Sequence, residues 1–182
     1  MTRNRDLANL GDNTSTLENQ GLVFIKTESF SAVSSQLVNN AFSATYDNYI
    51  VMLNLTGSTT SQNVSLRMSS GGTTNTAADY RSQSMSANNT TLSGGRDVDT
   101  TNWAQVARIN NTGQYASKLD FFYPFATKHT QMFADIQIEL TGNIHKLLYS
   151  FSMDVTTSYD GFEITVAGGT MTGSISIYGY KK

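Results

Sequence analysis

The sequence predicts an all-β protein: an antiparallel, jelly-roll-like β-sandwich over residues 21–182, preceded by an extended N-terminal arm over residues 1–20. Three observations carry that prediction. Apolar and polar residues alternate with a period of two in several segments, as in strands with one buried face. No stretch has the period of an amphipathic helix of normal length. Turn signals recur at short intervals and consist of Gly, Asn and Asp, since Pro124 is the only proline.

Met1 to Gln20 is polar, with Leu7, Leu10 and Leu17 spaced through it. Leu7 and Leu10 can share one face of a helical turn, which Gly11-Asp12-Asn13 stops. Alone, such a segment buries too little surface to fold. It reads as an arm that orders on a partner, with Arg3 and Arg5 reaching acidic or carbonyl groups.

Gly21 to Gly57 is the stretch around which the sandwich is organised. It opens with Leu22-Val23-Phe24-Ile25 and closes with Tyr49 to Leu55. Both runs are apolar on successive residues, which predicts strands buried on both faces. The polar arc between them carries Phe30, Val33, Leu37, Val38 and Phe42 and suits a return between two sheets.

Val64, Leu66 and Met68 alternate with polar residues in a half-exposed strand. Asp79 to Ala87 has only Tyr80 and Met85 as large apolar residues and predicts a weak or edge strand. Ala87 to Asn102 has little to bury and predicts an exposed, mobile loop. Trp103, Ala104, Val106 and Ile109 form a short strand before an Asn/Gly turn. Leu119, Phe121 and Tyr123 share a face of the next strand, which Pro124 ends. Met132, Ala134, Ile136, Ile138 and Leu140 give the cleanest alternation in the chain. A hairpin turn at Thr141-Gly142-Asn143 leads to Leu147, Tyr149, Phe151, Met153 and Val155. Phe162, Ile164 and Val166, then Met171, Ile175 and Ile177, complete about nine expected strands.

Composition narrows the function. Of 182 residues, 14% are charged and 38% hydrophobic, so much of the surface must be Ser, Thr, Asn, Gln and Gly. The 10% of aromatic residues argues against disorder. Net charge is −2, with no basic block before the final two lysines, so no nucleic-acid partner is expected. No apolar run approaches the ~20 residues that span a bilayer, and no membrane partner is expected. The first twenty residues hold no apolar signal core, so synthesis in the cytoplasm without export is expected. The Asn-x-Ser/Thr triplets at Asn13, Asn54, Asn63, Asn88, Asn89 and Asn110 are then read as composition. With no cysteine, disulfides and thiolate metal sites are excluded.

No constellation points to catalysis, and no enzyme activity, cofactor or metal site is expected. His129 follows Pro124 in a turn and His145 opens a strand, neither within a nucleophile motif. Asp135, Glu139 and Asp154 could flank a glycoside, but alternation turns them to solvent, where carboxylates are an ordinary solvated face. Asp97-Val98-Asp99 is too sparse for calcium. Gly94-Gly95-Arg96 lacks the Lys-Ser/Thr of a phosphate loop.

Four aromatic residues fall on faces that their strands otherwise turn to solvent: Phe122, Phe133, Tyr178 and Tyr180. Two readings carry equal weight. Either a loop of the same chain covers them, or they form an intersubunit patch.

Several segments carry a family resemblance. IKTESFSAVSS at Ile25 to Ser35, AFSATYDNYIV at Ala41 to Val51 and GSISIYGY at Gly173 to Tyr180 resemble a β-domain of bacteriophage virion surface proteins, especially of marine and cyanobacterial phages. Arg3-Asn4-Arg5-Asp6-Leu7-Ala8 is similar to the Arg-x-Arg-Asp-Leu-Ala opening of phage fibre and appendage proteins. The resemblance covers about the first third of the chain and its last strand. It implies a non-enzymatic structural protein of the virion, with Arg3, Arg5, Asp6, Leu7 and Leu10 as a docking arm onto other capsid or tail proteins. The reading favoured is a head decoration (cement) protein that self-associates as a trimer. No heptad run or solenoid repeat of a fibre shaft follows the arm. The alternative is a short tail fibre or appendage protein whose sandwich binds a host-surface glycan.

Overall fold

A computed structural model describes residues 21–59, 61–140 and 143–182. The expected all-β sandwich is present. Two antiparallel sheets pack face to face, and no helix occurs among the described residues. The strands are β1 (Leu22–Val33), β2 (Ser35–Val38), β3 (Asn48–Gly57), β4 (Gln62–Ser70), β5 (Thr73–Thr74), β6 (Tyr80–Asn88), β7 (Thr91–Thr100), β8 (Trp103–Ile109), β9 (Tyr115–Phe122), β10 (Gln131–Leu140), β11 (Asn143–Met153), β12 (Gly161–Val166) and β13 (Met171–Tyr180). The large sheet runs β1-β13-β3-β9-β10-β11-β6-β7, and the small one β2-β12-β4-β5 with β8 also on β4. The chain shuttles between sheets, as a jelly roll does.

The core follows from the alternation. Tyr49, Val51, Leu53 and Leu55 of β3, Leu119 and Phe121 of β9, and Met132, Ala134, Ile136 and Ile138 of β10 all point inward and are buried. Val64, Leu66 and Met68 of β4 and Phe162 and Ile164 of β12 meet them from the small sheet. Aromatic rings form the centre. Phe42 lies 4.9 Å from Tyr49, 5.1 Å from Phe121 and 5.8 Å from Phe162, ring centre to ring centre. Trp103 continues the chain to Tyr80 at 5.6 Å and Phe151 at 5.4 Å. Such ring pairs add about 0.5–1.5 kcal/mol each beyond area burial. Two buried tyrosine hydroxyls keep partners. The Tyr49 hydroxyl donates to the Ser43 carbonyl, and that of Tyr80 to the Asn75 carbonyl. Burial pushes the Tyr80 hydroxyl well above its ordinary pKa.

Four expectations need correction. Leu22 to Ile25 is not buried on both faces: β1 is an edge strand, and Phe24 is 59% exposed. A bulge between Phe24 and Lys26 lets Leu22 and Phe24 face outward while the strand beyond reverses its facing. Second, Tyr49 to Leu55 has one buried face, with Met52 exposed on the other. Third, Ala87 to Asn102 is mostly a strand, not a loop. β7 pairs with β6 through a turn at Asn89-Thr90, where Asn89 takes a positive φ of 52°. Backbone pairing builds β7 without burying side chains, nearly all of which are exposed. Fourth, Tyr123 does not continue the face of Leu119 and Phe121. β9 ends at Phe122, and Tyr123 has a positive φ and donates its N–H to the Asp47 carbonyl. Strands not expected in the first half, among them β2, β5 and β7, raise the number from about nine to thirteen among the described residues.

Candidate functional site on the outer face of the large sheet

The face of the large sheet turned away from the small sheet is where the sequence-selected aromatics meet. Strand register builds it row by row. Phe24 pairs with Tyr178, Tyr178 with Ile50, and Ile50 with Asp120. Asp120 pairs with Phe133, Phe133 with Ser150, Ser150 with Gln83, and Gln83 with Arg96. One cross-strand row therefore crosses all eight strands. Beside it run Met52, Lys118, Asp135, Leu148 and Met85 in matching register.

All four selected aromatics lie on this face. Phe133 is 50% exposed and makes an edge contact with half-buried Phe122 at 5.4 Å. Tyr178 makes an edge contact with Phe24 at 5.6 Å. Tyr180 pairs with Leu22, and its hydroxyl lies 3.4 Å from Oδ1 of Asp120. Neither the Ser43-to-Tyr46 segment nor β7 covers Tyr178. Tyr46 instead lies on the inner side, where the missing side chain of Gly179 makes room for its ring. Sequence reasoning missed Phe24, Met52, Leu148 and Met85 as members of the face. For Leu148 a signal existed, because its strand alternates it with Ser150 and Ser152 on the polar side.

The charges here are mostly paired. Lys118 Nζ lies 2.9 Å from Asp120, whose hydrogen bond raises the ammonium pKa and keeps it charged. Lys146 pairs with Asp135, and Arg81 with Asp154 and, at 3.7 Å, Asp99. Of the four cations on this face, Arg96 alone has no acidic partner among the described residues. Two hollows of about 370 and 430 Å³ flank Phe133. The first is lined by Arg81, Gln83, Arg96, Gln131, Ser150 and Ser152 among others, and the second by Met85, Lys118, Asp135 and Leu148 among others.

The acids and histidines considered for catalysis are dispersed. Asp135 and Asp154 each sit in a surface ion pair, and the side chain of Glu139 lies outside the described residues. His129 Nδ1 lies 3.0 Å from the Met153 carbonyl. His145 of β11 pairs with Ile138 and Asn88. Among the described residues, neither histidine hydrogen-bonds a carboxylate, and no group of three or more His, Asp or Glu could hold a metal. Among those residues, too, no helix is long and apolar enough to cross a membrane.

Arg3, Arg5, Asp6, Leu7 and Leu10 of the expected docking arm lie outside the described residues. The described chain leaves the sandwich at Gly21, whose carbonyl accepts from the Lys181 N–H at 3.0 Å. Gly21 thus lies beside Leu22 and Tyr180, at one corner of the outer face. No family model matches the chain, and no curated protein matches it.

Proposed function

We propose that this chain is a non-enzymatic structural protein of a bacteriophage virion, displayed on the particle surface as a head decoration protein. It docks through residues 1–20 and self-associates, as a trimer, through the β1–β13 end of the outer face. The observation that carries the self-association is the apolar row that no second layer covers among the described residues. Leu22, Phe24 and Tyr180 stand exposed side by side there, with Tyr178 against Phe24. Aromatic residues at the centre of an interface each contribute ~2 kcal/mol or more, and a weakly charged β-domain gains little from leaving them in water. The virion assignment is supported by the sequence resemblance at the arm, in β1 to β3 and in β13.

Two measurements test this reading. Replacing Tyr178 and Tyr180 together by Ser lowers the oligomer mass in light scattering while the β-sheet circular dichroism spectrum persists. A double variant that stays fully oligomeric moves the contact elsewhere, and Leu92 on β7, 82% exposed, is then the next candidate. Deleting Met1 to Gly11 leaves a folded sandwich that no longer joins the particle, as assayed by dichroism and by its amount on purified virions. Normal incorporation of the shortened chain sinks the docking arm. The copy number of the intact protein on purified virions reads its place: hundreds mark the head, and a dozen or so mark the tail.

A second reading, a tail appendage protein that binds a host-surface glycan, is favoured by one observation. The hollows around Phe133 combine an exposed ring with amide, hydroxyl and guanidinium groups, the mixture that small-ligand sites use.

A further inference from the structure

We infer that the hollow between Phe133 and Arg96 binds a short carboxylated saccharide of the uronic-acid class, with a sugar ring on Phe133 and its carboxylate on Arg96. The inference rests on the glycan-binding reading and adds the chemical class of the glycan and the residues that hold it.

The site is built by the alternation of four neighbouring strands. On β11 the outward residues are Ser150 and Ser152, the smallest side chains in their rows. Taller neighbours stand on both sides: Phe133 and Gln131 on β10, Gln83 and Arg81 on β6. Small residues between large ones leave a trough, and this trough is the hollow of about 370 Å³. Arg96 on β7 closes its far side opposite Gln83. From Phe133 to Arg96 is three strand spacings, roughly 14 Å at the usual interstrand distance, which suits a short oligosaccharide rather than a single ring.

Arg81 and Ser152 of the trough already have partners, but its other polar side chains offer unused groups. Among the described residues, the side chains of Gln83, Gln131 and Ser150 make no hydrogen bond, and Arg96 has no acidic partner. Each amide offers two donors and an acceptor, and a serine hydroxyl both donates and accepts, which matches a ligand rich in hydroxyls. The exposed ring of Phe133, buttressed by Phe122, supplies the apolar component. Its negative face attracts the weakly positive C–H edges of a sugar ring. A free guanidinium fork matches a carboxylate in bidentate geometry, which separates an acidic sugar from a neutral one. Nucleic acid fits poorly, because Arg81, Lys118 and Lys146 are already paired and Arg96 alone neutralises little phosphate.

The test titrates the full chain with a galacturonate tetramer, a galactose tetramer and polyglutamate, followed by calorimetry. Expected is saturable binding of the galacturonate tetramer, at least tenfold weaker binding of the galactose tetramer, and none of polyglutamate. Arg96→Gln and Phe133→Ala are each expected to weaken the galacturonate tetramer at least tenfold. Arg96 lies on an exposed edge strand away from the Phe122 contact, so its variant keeps the test valid if Phe133→Ala folds poorly. Equal binding of both tetramers, with Arg96→Gln silent, overturns the acidic-sugar inference and leaves the glycan reading standing. Polyglutamate binding as well as the galacturonate tetramer overturns it too, leaving only charge attraction. Binding that neither variant alters overturns the assigned site. Absence of any saccharide binding overturns both the inference and the glycan reading.

Discussion

Ile136→Asp unfolds the domain. Ile136 is 1% exposed in the middle of β10, paired with Ser117 of β9 on one side and Leu147 of β11 on the other. The neighbouring inward residues Ala134 and Ile138 are apolar and buried, so neither supplies a cation to pair with a carboxylate. An unpaired carboxylate there costs several kcal/mol, comparable with the whole ~5–15 kcal/mol stability of a domain. Circular dichroism should show the loss of the β spectrum at room temperature. Gln137→Ala, one residue along on the exposed side, should shift stability by less than about 0.5 kcal/mol in a denaturant titration. Equal effects of the two changes would mean that the strand's faces are reversed.

Gly173→Ala should destabilise the sandwich by about 3 kcal/mol, the upper part of the usual range for overpacking. A Cβ on Gly173 would stand 2.0 Å from the Asn54 carbonyl oxygen and 3.0 Å from the Leu55 Cα. Both obstacles are backbone atoms of β3, so no side-chain rotation relieves the clash. β13 is also held by β1 on its other edge, through pairing from Leu22–Tyr180 to Val33–Met171. Moving away from β3 therefore breaks one ladder to spare the other. Gly179→Ala is the informative contrast. Its Cβ would meet the Tyr46 ring at 2.4 Å, and a ring can swing aside. A larger loss for Gly179→Ala than for Gly173→Ala in chemical denaturation would contradict this account.

How much of this was legible in the sequence depended on whether a signal sat in side chains or in backbone. β10 could be read directly, because Met132, Ala134, Ile136 and Ile138 are buried and the residues between them are not. β7 could not, because its stability comes from pairing with β6 and its side chains bury almost nothing. Leu22 and Phe24 misled for a related reason. A short apolar run looks alike whether it fills a core or lies on an open face, and an edge position is a property of the whole sheet. The candidate face was half legible. Period-two projection put Phe122, Phe133, Tyr178 and Tyr180 on outward faces. Their neighbours Phe24, Met85 and Arg96 come from distant segments, brought alongside only by strand register. That Arg96 lacks an acidic partner among the described residues is equally a matter of register, since Arg81, with the same charge, finds two acids.

The placement of β13 between β1 and β3 has a consequence for how the protein is made. β1 and β3 leave the ribosome early, yet they cannot become neighbours, because the strand that joins them is the last of the domain to be synthesised. Until it arrives, β3 keeps one long edge open, and β1, whose one partner in the sheet is β13, has nothing to pair with. Pairings between such distant segments form slowly, and open edges are where chains misassemble. The β13 of another nascent copy would match these edges in the same register as the chain's own. Crowded synthesis of many copies should therefore produce strand-exchanged species that dilute, slow refolding does not.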